Sequence, residues 1–337
     1  MTRPETHLLS HSDIVDVLDF ERAIDAVARV MEAHGRSEVV PPDLLHADVP
    51  NGEFHIKTGG IVHAGGKGLF GLKANGGFFG NHARNLPTIV GVIYLADAET
   101  GCPLVVMDSV EVSRVRTGAA TAVAARHLAR PDSRVLTVVG TGTQARTQIE
   151  ALRHVLPIDR VRLVGRDLSR TRTLAKTYAD ALSVDIEPMA SVTTALQGAD
   201  VLVTCTPARG PLVSLSDVHP GLFIAAVGAD SPGKQELAAE LVAHCTAVAD
   251  VHAQCIEVGE LQHPIRAGLM RPEDVHAEIG AVLCGRRPGR TSDDEITLYD
   301  STGTALQDVA VGFEVFELAR ERGLGQSVQL GPRDETP

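Results

Sequence analysis

The spacing of apolar and polar residues changes along the chain, with a break near Pro131. Before this break, apolar residues follow Asp19 with helical spacing, so we predict a helix from Phe20 to His34 with Asp19 as its N-cap. An alanine-rich segment predicts a second helix. Short apolar segments, separated by Pro41-Pro42 and by glycine-rich turns, predict strands. The predicted strands are Phe54 to Lys57, Leu69 to Ala74 and Thr88 to Leu95, the turns are Gly65 to Gly68 and Gly76-Gly77, and the second helix is Val110 to Leu128.

After Pro131, short apolar strands alternate with helical segments, a pattern typical of a parallel sheet. The apolar pattern of Thr304 to Arg322 predicts a last helix, which we expect to return to the first part of the chain. We therefore predict an α/β protein, with a Rossmann-type doubly wound parallel sheet over residues 131–303 and an α+β domain from residues 1–130 and 304–337. The predicted strands of the parallel sheet are Val135 to Val139, Val161 to Val164, Val201 to Thr204, Leu222 to Val227 and Ala247 to Ala249.

The first strand of this region runs directly into a glycine-rich turn (GTGTQA) and then into a helix. This is the G-x-G-x-x-A pattern of dinucleotide-binding proteins in its strand, turn and helix setting. Gly140 permits the tight turn, Gly142 lets the backbone approach a pyrophosphate, and Ala145 lets helix and strand pack closely. Thr143 and Gln144 lie at the helix N-terminus, which favours an anion. We expect these five residues to bind NAD(P)(H).

The end of the second strand bears on the choice between NAD and NADP. An acidic residue there holds the ribose 2'-hydroxyl, whereas a nearby arginine accommodates a 2'-phosphate. Here Gly165 is followed by Arg166 and Asp167. Arg166 favours NADP(H), while Asp167 can still reach a free hydroxyl, so the preference for NADP(H) is slight.

Composition and charge exclude several classes of protein. A net charge of -12 and an aromatic content of 3% argue against nucleic acid as a partner. The chain shows no long apolar span and no signal-peptide pattern at its start, so we expect a cytoplasmic protein without a membrane partner. Its five cysteines are scattered and never spaced as C-x-x-C, which predicts reduced thiols and no metal site.

Residues outside the glycine-rich turn carry a family resemblance. In chain order they are Gly71 to Gly77 (GLKANGG), Pro87-Thr88, Arg114 to Ala120 (RVRTGAA), Gly140 to Gly142 (GTG), Gly228 to Leu237 (GADSPGKQEL) and Asp300 to Gly303 (DSTG). Together they resemble the ornithine cyclodeaminase and mu-crystallin family over roughly residues 8 to 322.

This resemblance implies a homodimer whose first domain binds a small amino or imino acid and dimerises. It also implies that Lys73 and Arg116 hold the substrate carboxylate, that Asp230 and Lys234 face the reacting carbon, and that Asp230 and Lys73 are catalytic. The implied cofactor contacts outside the glycine-rich turn are Thr88, Arg116, Thr206, Val227 and Ser301. We expect replacement of Lys73 or Arg116 to weaken catalysis far more than folding.

The chain departs from the family pattern near its first prolines. An arginine that usually follows the early proline is missing from Pro41 to His46, while Lys57 stands where many relatives have an apolar residue. Lys57 is a candidate substrate ligand, either as a substitute anchor or for a second carboxylate, and a solvated strand lysine is an equal alternative. His55 is interpreted as structural.

Three functions follow from the resemblance. The segment around Asp230 and Lys234 favours an amino-acid cyclodeaminase acting on ornithine or a close analogue, with the cofactor regenerated in each turnover. Arg166 favours the alternative of an NAD(P)H-dependent imine or ketimine reductase, or an amino-acid dehydrogenase, because a recycling enzyme gains nothing from selecting NADP. A non-catalytic protein that binds NADPH or another small ligand is a further alternative.

Overall fold

The computed structural model describes residues 5–64 and 67–330. The chain divides into two compact units, one containing the chain up to Arg116 and from Thr304 onward, the other containing Thr117 to Gly303. This division lies within a helix, earlier than the boundary near Pro131 predicted from the sequence. The end of that helix is bonded into the second unit, where the Leu128 carbonyl accepts hydrogen bonds from Thr297 Oγ1 at 2.7 Å and Arg290 Nε at 2.7 Å.

The first unit begins with a short strand and two helices, β1 (Thr6–Leu9), α1 (His11–Val15) and α2 (Phe20–Gly35). Helix α2 starts as predicted, with the Asp19 side chain accepting from the Arg22 backbone N–H at 2.9 Å. Further strands and helices complete the unit, the last two after the chain has passed through the second unit. They are β2 (Val39–Val49), β3 (Gly52–Ala64), β4 (Lys67–Gly77), β5 (Ile89–Asp97), β6 (Pro103–Asp108), the first part of α3 (Val110–Leu128), α11 (Ala305–Arg322) and β17 (Gln326–Val328).

The strands of the first unit form one seven-stranded sheet in the order β17-β1-β6-β5-β4-β3-β2. Its pairs are antiparallel except β1 with β6. Strand β2 runs through Pro41 and Pro42, where the sequence predicts a break. The pairing register of β2 with β3 shifts between Val40 and Asp43. Strand β2 also lies at the sheet edge, where proline, which has no backbone N–H to donate, is tolerated.

Gly76 and Gly77 were predicted to form a turn, but they end strand β4 instead. A Cβ atom at Gly76 would lie 2.9 Å from Phe78 Cε2 and 3.0 Å from Phe54 Cε1. The absence of a side chain at this position therefore makes room for the two rings, which pack edge to face with centroids 5.7 Å apart. The other predicted turn, Gly65 to Gly68, lies partly outside the described residues.

Helix α11 packs closely on one face of this sheet. A Cβ atom at Gly59 would lie 3.2 Å from Leu306 Cδ2, and one at Gly71 would lie 2.6 Å from Val309 Cγ2. Gly59 and Gly71 are register partners in β3 and β4, so the paired glycines create the space for the helix. Residues two positions away from each of these glycines lie on the same face of the sheet as the helix, because side chains alternate along a strand.

The second unit alternates strands and helices, as the sequence predicts. Its first part contains β7 (Val135–Val139), α4 (Thr143–Arg153), β8 (Arg160–Val164), α5 (Leu168–Leu182), β9 (Asp185–Met189), α6 (Val192–Leu196), β10 (Val201–Thr204), β11 (Arg209–Val213) and β12 (Phe223–Ala226). Its second part contains β13 (Gln235–Leu237), α7 (Ala239–His244), β14 (Thr246–Ala249), α8 (His252–Val258), α9 (Gln262–Arg266), β15 (Ala277–Glu278), α10 (Ile279–Leu283) and β16 (Thr297–Asp300).

Eight of these strands form a parallel sheet in the order β15-β14-β16-β12-β10-β7-β8-β9, and β11 pairs with β13 separately. The predicted α/β fold with a doubly wound parallel sheet is confirmed. Strand order reverses beside β7, because β8 lies on one side of it and β10 on the other. Doubly wound sheets bind ligands at the carboxyl ends of their strands at such a reversal.

The central strands β10 and β12 are buried along their whole length. Such strands read as continuous apolar segments, which is why the sequence located them accurately. In the part of the chain that the structure describes, no helix combines the length and the apolar character that crossing a membrane requires.

Candidate active site

Two lysines of the first unit lie side by side beneath helix α11. Lys57 in β3 and Lys73 in β4 are register partners, two residues from the glycine pair on which α11 packs. Their exposed fractions are only 5% and 3%. The interpretation of Lys57 as a solvated strand lysine is therefore wrong. Like charges directly opposite each other destabilise a sheet unless an anion compensates them.

One such anion is Asp308 of α11, which is 1% exposed. Its Oδ2 lies 2.6 Å from Lys73 Nζ, and its Oδ1 accepts a hydrogen bond from Arg116 Nε at 3.0 Å. Arg116 Nη1 also donates to Gln307 Oε1 at 3.0 Å. The structure thus brings Lys57, Lys73 and Arg116 together around one carboxylate, and we call these three cations with Asp308 the cation cluster.

Burial and charge set the protonation behaviour of the cluster. Burial, aided by the positive charge of Arg116, lowers the pKa of Lys73 to about 7, although Asp308 acts in the opposite direction. Burial alone would raise the pKa of Asp308, but Arg116 and Lys73 outweigh it and hold the pKa below the usual value. Asp308 therefore remains ionised, while Lys73 titrates near neutral pH.

A second polar group lies further along the same face of the sheet. His46 in β2 and His55 in β3 are register partners, with ring centroids 4.7 Å apart. Glu53 Oε2 lies 3.7 Å from His46 Nε2, and its Oε1 lies 3.3 Å from His55 Nε2. One donor atom from each residue lies within 4.8 Å of the others, a spacing that a metal ion would also need. The pairing of β2 with β3 brings these residues together. The sequence analysis judged metal binding from the spacing of cysteines, which could not reveal a group made of histidine and glutamate.

Thr88 immediately precedes β5 in the first unit. Its backbone carbonyl accepts a hydrogen bond from the Phe78 N–H at 2.8 Å. Thr88 is partly buried, and its cofactor contact remains a prediction.

In the second unit, the glycine-rich turn has the geometry that a dinucleotide needs. Gly140 has φ +132°, and a Cβ atom there would lie 2.7 Å from Cys205 Sγ. Gly142 is the N-cap of α4 and forms no side-chain cap. The helix that begins at Thr143 and Gln144 therefore presents its N-terminus without a capping side chain, while Ala145 is fully buried against the sheet.

The residues that follow β8 explain why no acidic residue ends that strand. A Cβ atom at Gly165 would lie 2.5 Å from Thr171 Oγ1 and 2.6 Å from Thr141 Cγ2, so packing favours glycine there. Arg166 is exposed. Asp167 caps α5, because its Oδ1 accepts from the backbone N–H groups of Ser169 at 2.8 Å and Arg170 at 3.2 Å.

The remaining predicted cofactor residues lie at the carboxyl ends of three neighbouring strands. Thr206 follows β10, Val227 follows β12 and Ser301 follows β16. The Val227 N–H donates to the Thr204 carbonyl at 2.9 Å, and the Ser301 N–H donates to the Ala226 carbonyl at 3.0 Å. Ser301 Oγ is buried without a hydrogen-bond partner among the described residues. Such an orphaned hydroxyl fits a group that a ligand would supply.

Asp230 and Lys234 form an ion pair on the loop after β12. Lys234 Nζ donates to Asp230 Oδ1 at 2.5 Å, and the Asp230 side chain is 40% exposed. The loop is tied down, since the Gly233 N–H donates to Gln262 Oε1 at 3.0 Å and His263 Nε2 lies 2.7 Å from the Lys234 carbonyl. The structure thus assigns Lys234 a partner within the chain and leaves part of the Asp230 carboxylate open to solvent.

Comparison with known proteins agrees with the fold. The ornithine cyclodeaminase/mu-crystallin family profile matches residues 20–323. The chain belongs to this family.

Solved structures of the ornithine cyclodeaminase/mu-crystallin family superpose on nearly the whole chain. An archaeal alanine dehydrogenase dimer with bound NAD is 34% identical, with 97% of this chain and 100% of that chain covered and a TM-score of 0.91. The iminosuccinate reductase of Paracoccus denitrificans in complex with NAD+ is 31% identical, with coverage of 97% and 100% and a TM-score of 0.90. A lysine cyclodeaminase is 32% identical, with coverage of 97% and 96% and a TM-score of 0.85. These relatives are named for reactions they catalyse, and the chain is likewise an enzyme.

The sequence analysis missed two residues at the cation cluster, namely Asp308 and its neighbour Gln307. Gln307 and Asp308 lie in a predicted apolar helix, between Leu306 and Val309. Both are buried. The sequence did contain a signal for these residues, because two polar residues interrupt the apolar face of the predicted helix. A charge buried on that face requires a partner.

Three acidic residues of the second unit were also missed. Glu236 accepts from the backbone N–H groups of Thr206 at 2.6 Å and Gly228 at 2.9 Å, and so ties the ends of β10 and β12 together. Glu260 accepts from Glu236 N at 2.7 Å, and Asp300 accepts from Glu260 N at 3.1 Å. Burial raises the pKa of Glu260 to about 9 and that of Asp300 to about 7. This acidic chain positions the loops that carry the predicted cofactor contacts.

Proposed function

We propose that this enzyme transfers a hydride between NAD(P)(H) and the α carbon of a small amino or imino acid. The observation that carries the proposal is the cation cluster, in which buried Lys73 and Arg116 share the carboxylate of Asp308 and buried Lys57 is the register partner of Lys73. Charge-assisted hydrogen bonds from buried lysine and arginine side chains are well suited to a substrate carboxylate. The glycine-rich turn of the second unit supplies the complementary half of the chemistry.

The residues of the second unit fit a nicotinamide dinucleotide. Gly140 adopts the positive φ of the tight turn, a Cβ atom at Gly142 would meet only open space, and the N-terminus of α4 favours the pyrophosphate. Ser301 Oγ, buried without a hydrogen-bond partner among the described residues, matches a ligand hydroxyl or amide. When bound, the nicotinamide accepts or donates the hydride.

The preference between NAD and NADP is proposed from the loop after β8. Gly165 excludes the acidic residue that would hold a ribose 2'-hydroxyl, and the carboxylate of Asp167 caps α5. The exposed Arg166 suits a 2'-phosphate. We propose that NADP(H) binds at least as well as NAD(H), and titration of both cofactors against the wild type and Arg166→Ala measures the difference.

The chain's own residues have distinct tasks in the proposed reaction. Lys73 and Arg116 hold the substrate carboxylate with charge-assisted bonds, which orient the α C–H bond. Asp230 accepts a proton from the substrate nitrogen or from water through the solvent-exposed part of its carboxylate. Lys234 neutralises Asp230 in the free enzyme and fixes its orientation.

The second candidate function is an amino-acid cyclodeaminase, which the sequence favours for ornithine or a close analogue. The pairing of Asp230 with Lys234 supports it, because that reaction needs a carboxylate to manage the distal amine as it attacks the imine. The enzyme would then regenerate its cofactor in each turnover and release ammonia.

One assay separates these functions. The purified protein is given stoichiometric NAD(P)+ or NAD(P)H with a panel of amino acids, or of keto acids plus ammonia, while reduced nicotinamide and ammonia are measured. Net cofactor turnover supports the oxidoreductase. Ammonia release from ornithine or lysine without net cofactor change identifies a cyclodeaminase, and ligand binding without either signal identifies a binding protein. We further propose a homodimer, which light scattering of the same preparation tests.

A further inference from the structure

Four side chains that can bind a metal form a block on the hairpin of β2 and β3. In the register of the two strands, His46 pairs with His55 and Asp48 pairs with Glu53. Side chains two positions apart on a strand share a face, and so do cross-strand partners. Two imidazoles and two carboxylates therefore lie together on one face, beside the sheet edge that β2 forms.

The donor atoms of this block converge on a small volume. His55 Nε2 lies 3.3 Å from Glu53 Oε1, and His46 Nε2 lies 3.7 Å from Glu53 Oε2. Asp48 Oδ1 lies 3.1 Å from the same nitrogen of His46. Ligand atoms about 2.0 to 2.1 Å from a tetrahedral zinc ion lie about 3.3 Å from one another. The three measured separations are close to this value, so the side chains need only small rotations to bind the ion.

Hydrogen bonds among these side chains use their donor and acceptor atoms incompletely. A ring nitrogen carries at most one hydrogen, yet oxygens of both Asp48 and Glu53 approach His46 Nε2. The two carboxylates are also register partners, and like charges directly opposite each other destabilise a strand pair. Glu53 is only 23% exposed, so water screens this repulsion incompletely. A divalent cation between the four groups compensates both carboxylates and accepts a lone pair from each ring.

From this geometry we infer that the hairpin binds a divalent transition-metal ion, with zinc as the best fit, through His46, Glu53 and His55, and that Asp48 completes the coordination. Imidazole nitrogen suits zinc and its neighbours among the transition metals, whereas magnesium and calcium prefer ligand sets made of oxygen. No step of the proposed hydride transfer uses these residues, so the inference stands apart from the proposed function.

The bound ion would brace the edge of the sheet. Each strand supplies two ligands, so the ion links β2 to β3 through side chains in addition to the backbone hydrogen bonds. Strand β2 benefits from such a link, because its pairing with β3 is irregular between Val40 and Asp43. Four protein ligands close the coordination sphere, as in structural zinc sites. We therefore assign the ion a structural role, with slower opening of the hairpin as its measurable effect.

Zinc binding to the full-length, untagged protein tests the site. After treatment with a chelator and its removal, zinc is titrated calorimetrically into the wild type, His46→Gln, His55→Gln and His11→Gln. His11 is the matched control, because it is an exposed histidine 3.3 Å from a single carboxylate, that of Asp108. We expect one equivalent of zinc to bind the wild type and His11→Gln alike. Loss of either ligand histidine should weaken binding by at least about hundredfold, since even partners outside the coordination sphere contribute about 10- to 100-fold.

Hydrogen exchange with and without zinc tests the structural role. Slower amide exchange in β2 and β3 of the wild type, absent in folded His55→Gln, supports the brace, and unchanged exchange in the zinc-loaded protein overturns it. Absence of zinc binding by the wild type overturns the site, as does equal binding by the wild type and both ligand variants, which would place the ion elsewhere. Thermal unfolding without zinc shows whether each variant is folded. If His55→Gln fails to fold, the more exposed His46 decides the test through His46→Gln.

Discussion

Lys73 in β4 and Asp308 in α11 are joined by an ion pair of 2.6 Å in which both side chains are almost fully buried. The pair links the sheet of the first unit to the helix that closes over it. It also links catalysis to folding, because the lysine proposed to hold substrate already neutralises a buried carboxylate of the protein itself.

Replacement of Lys73 or Arg116 by Met should therefore weaken the fold as well as catalysis. The sequence alone suggests that folding would be spared, but each variant removes a partner from buried Asp308. Breaking a buried ion pair from one side typically costs about 3 to 5 kcal/mol. Urea unfolding should show this loss. The double variant Lys73→Met with Asp308→Asn should recover part of the stability without recovering activity, and full stability of Lys73→Met alone would contradict the argument.

Substrate binding should weaken as the pH rises through neutrality. Burial lowers the pKa of Lys73 to about 7 in the free enzyme, so its ammonium form, which attracts the carboxylate, is complete below that pH and is lost above it. Affinity for an unreactive carboxylate should fall by up to about tenfold per pH unit above pH 7. Calorimetry between pH 6 and 9 measures this.

The control for this pH dependence is Lys73→Arg, since arginine does not deprotonate in this range. Other titratable groups lie near the site, namely Lys57, Arg116 and Asp308 in the cluster and His46, His55 and Glu53 further along the sheet. An unchanged pH profile in a folded Lys73→Arg variant would contradict the assignment of the dependence to Lys73.

Asp230→Asn should preserve cofactor binding while removing most turnover. The variant keeps the size of the side chain but cannot accept a proton, and positioned acid-base groups contribute about 10²- to 10⁴-fold. Steady-state kinetics and cofactor titration measure the two effects separately. Lys234→Met is the informative companion, because it removes the ion pair of Asp230 with Lys234 and should shift the pH profile rather than abolish activity. Near-normal turnover of Asp230→Asn would make Asp230 a loop residue.

Glu236→Gln should weaken cofactor binding without touching the cofactor directly. The two carboxylate oxygens of Glu236 accept hydrogen bonds from the Thr206 and Gly228 N–H groups. The glutamine side chain has only one oxygen to accept both. One buried N–H is then left without its partner, at a cost of about 1 to 3 kcal/mol. The dissociation constant should rise about five- to hundredfold, with KM for the cofactor affected more than kcat. Glu240→Gln, on the nearby helix α7, should leave the dissociation constant unchanged.

Much of this protein could be predicted from its sequence because the deciding interactions are local. The glycine-rich turn, the helix cap at Asp19 and the buried strands β7 and β10 depend on residues adjacent in the chain, where periodicity and backbone geometry leave few alternatives. The family motifs likewise identified Lys73, Arg116 and Asp230 as candidates, although their roles remain predictions.

Tertiary structure decided what depends on residues distant in sequence. Whether Lys57 is solvated or buried follows from the pairing of β3 with β4 and from the close approach of α11 at two glycines. Asp308 stands 192 residues from Arg116, so no local pattern could pair them. Burial by such distant elements is what lowers the pKa of Lys73. The sequence by itself determined the kind of chemistry, and the packing of α11 on the sheet decided which charges remain available for it.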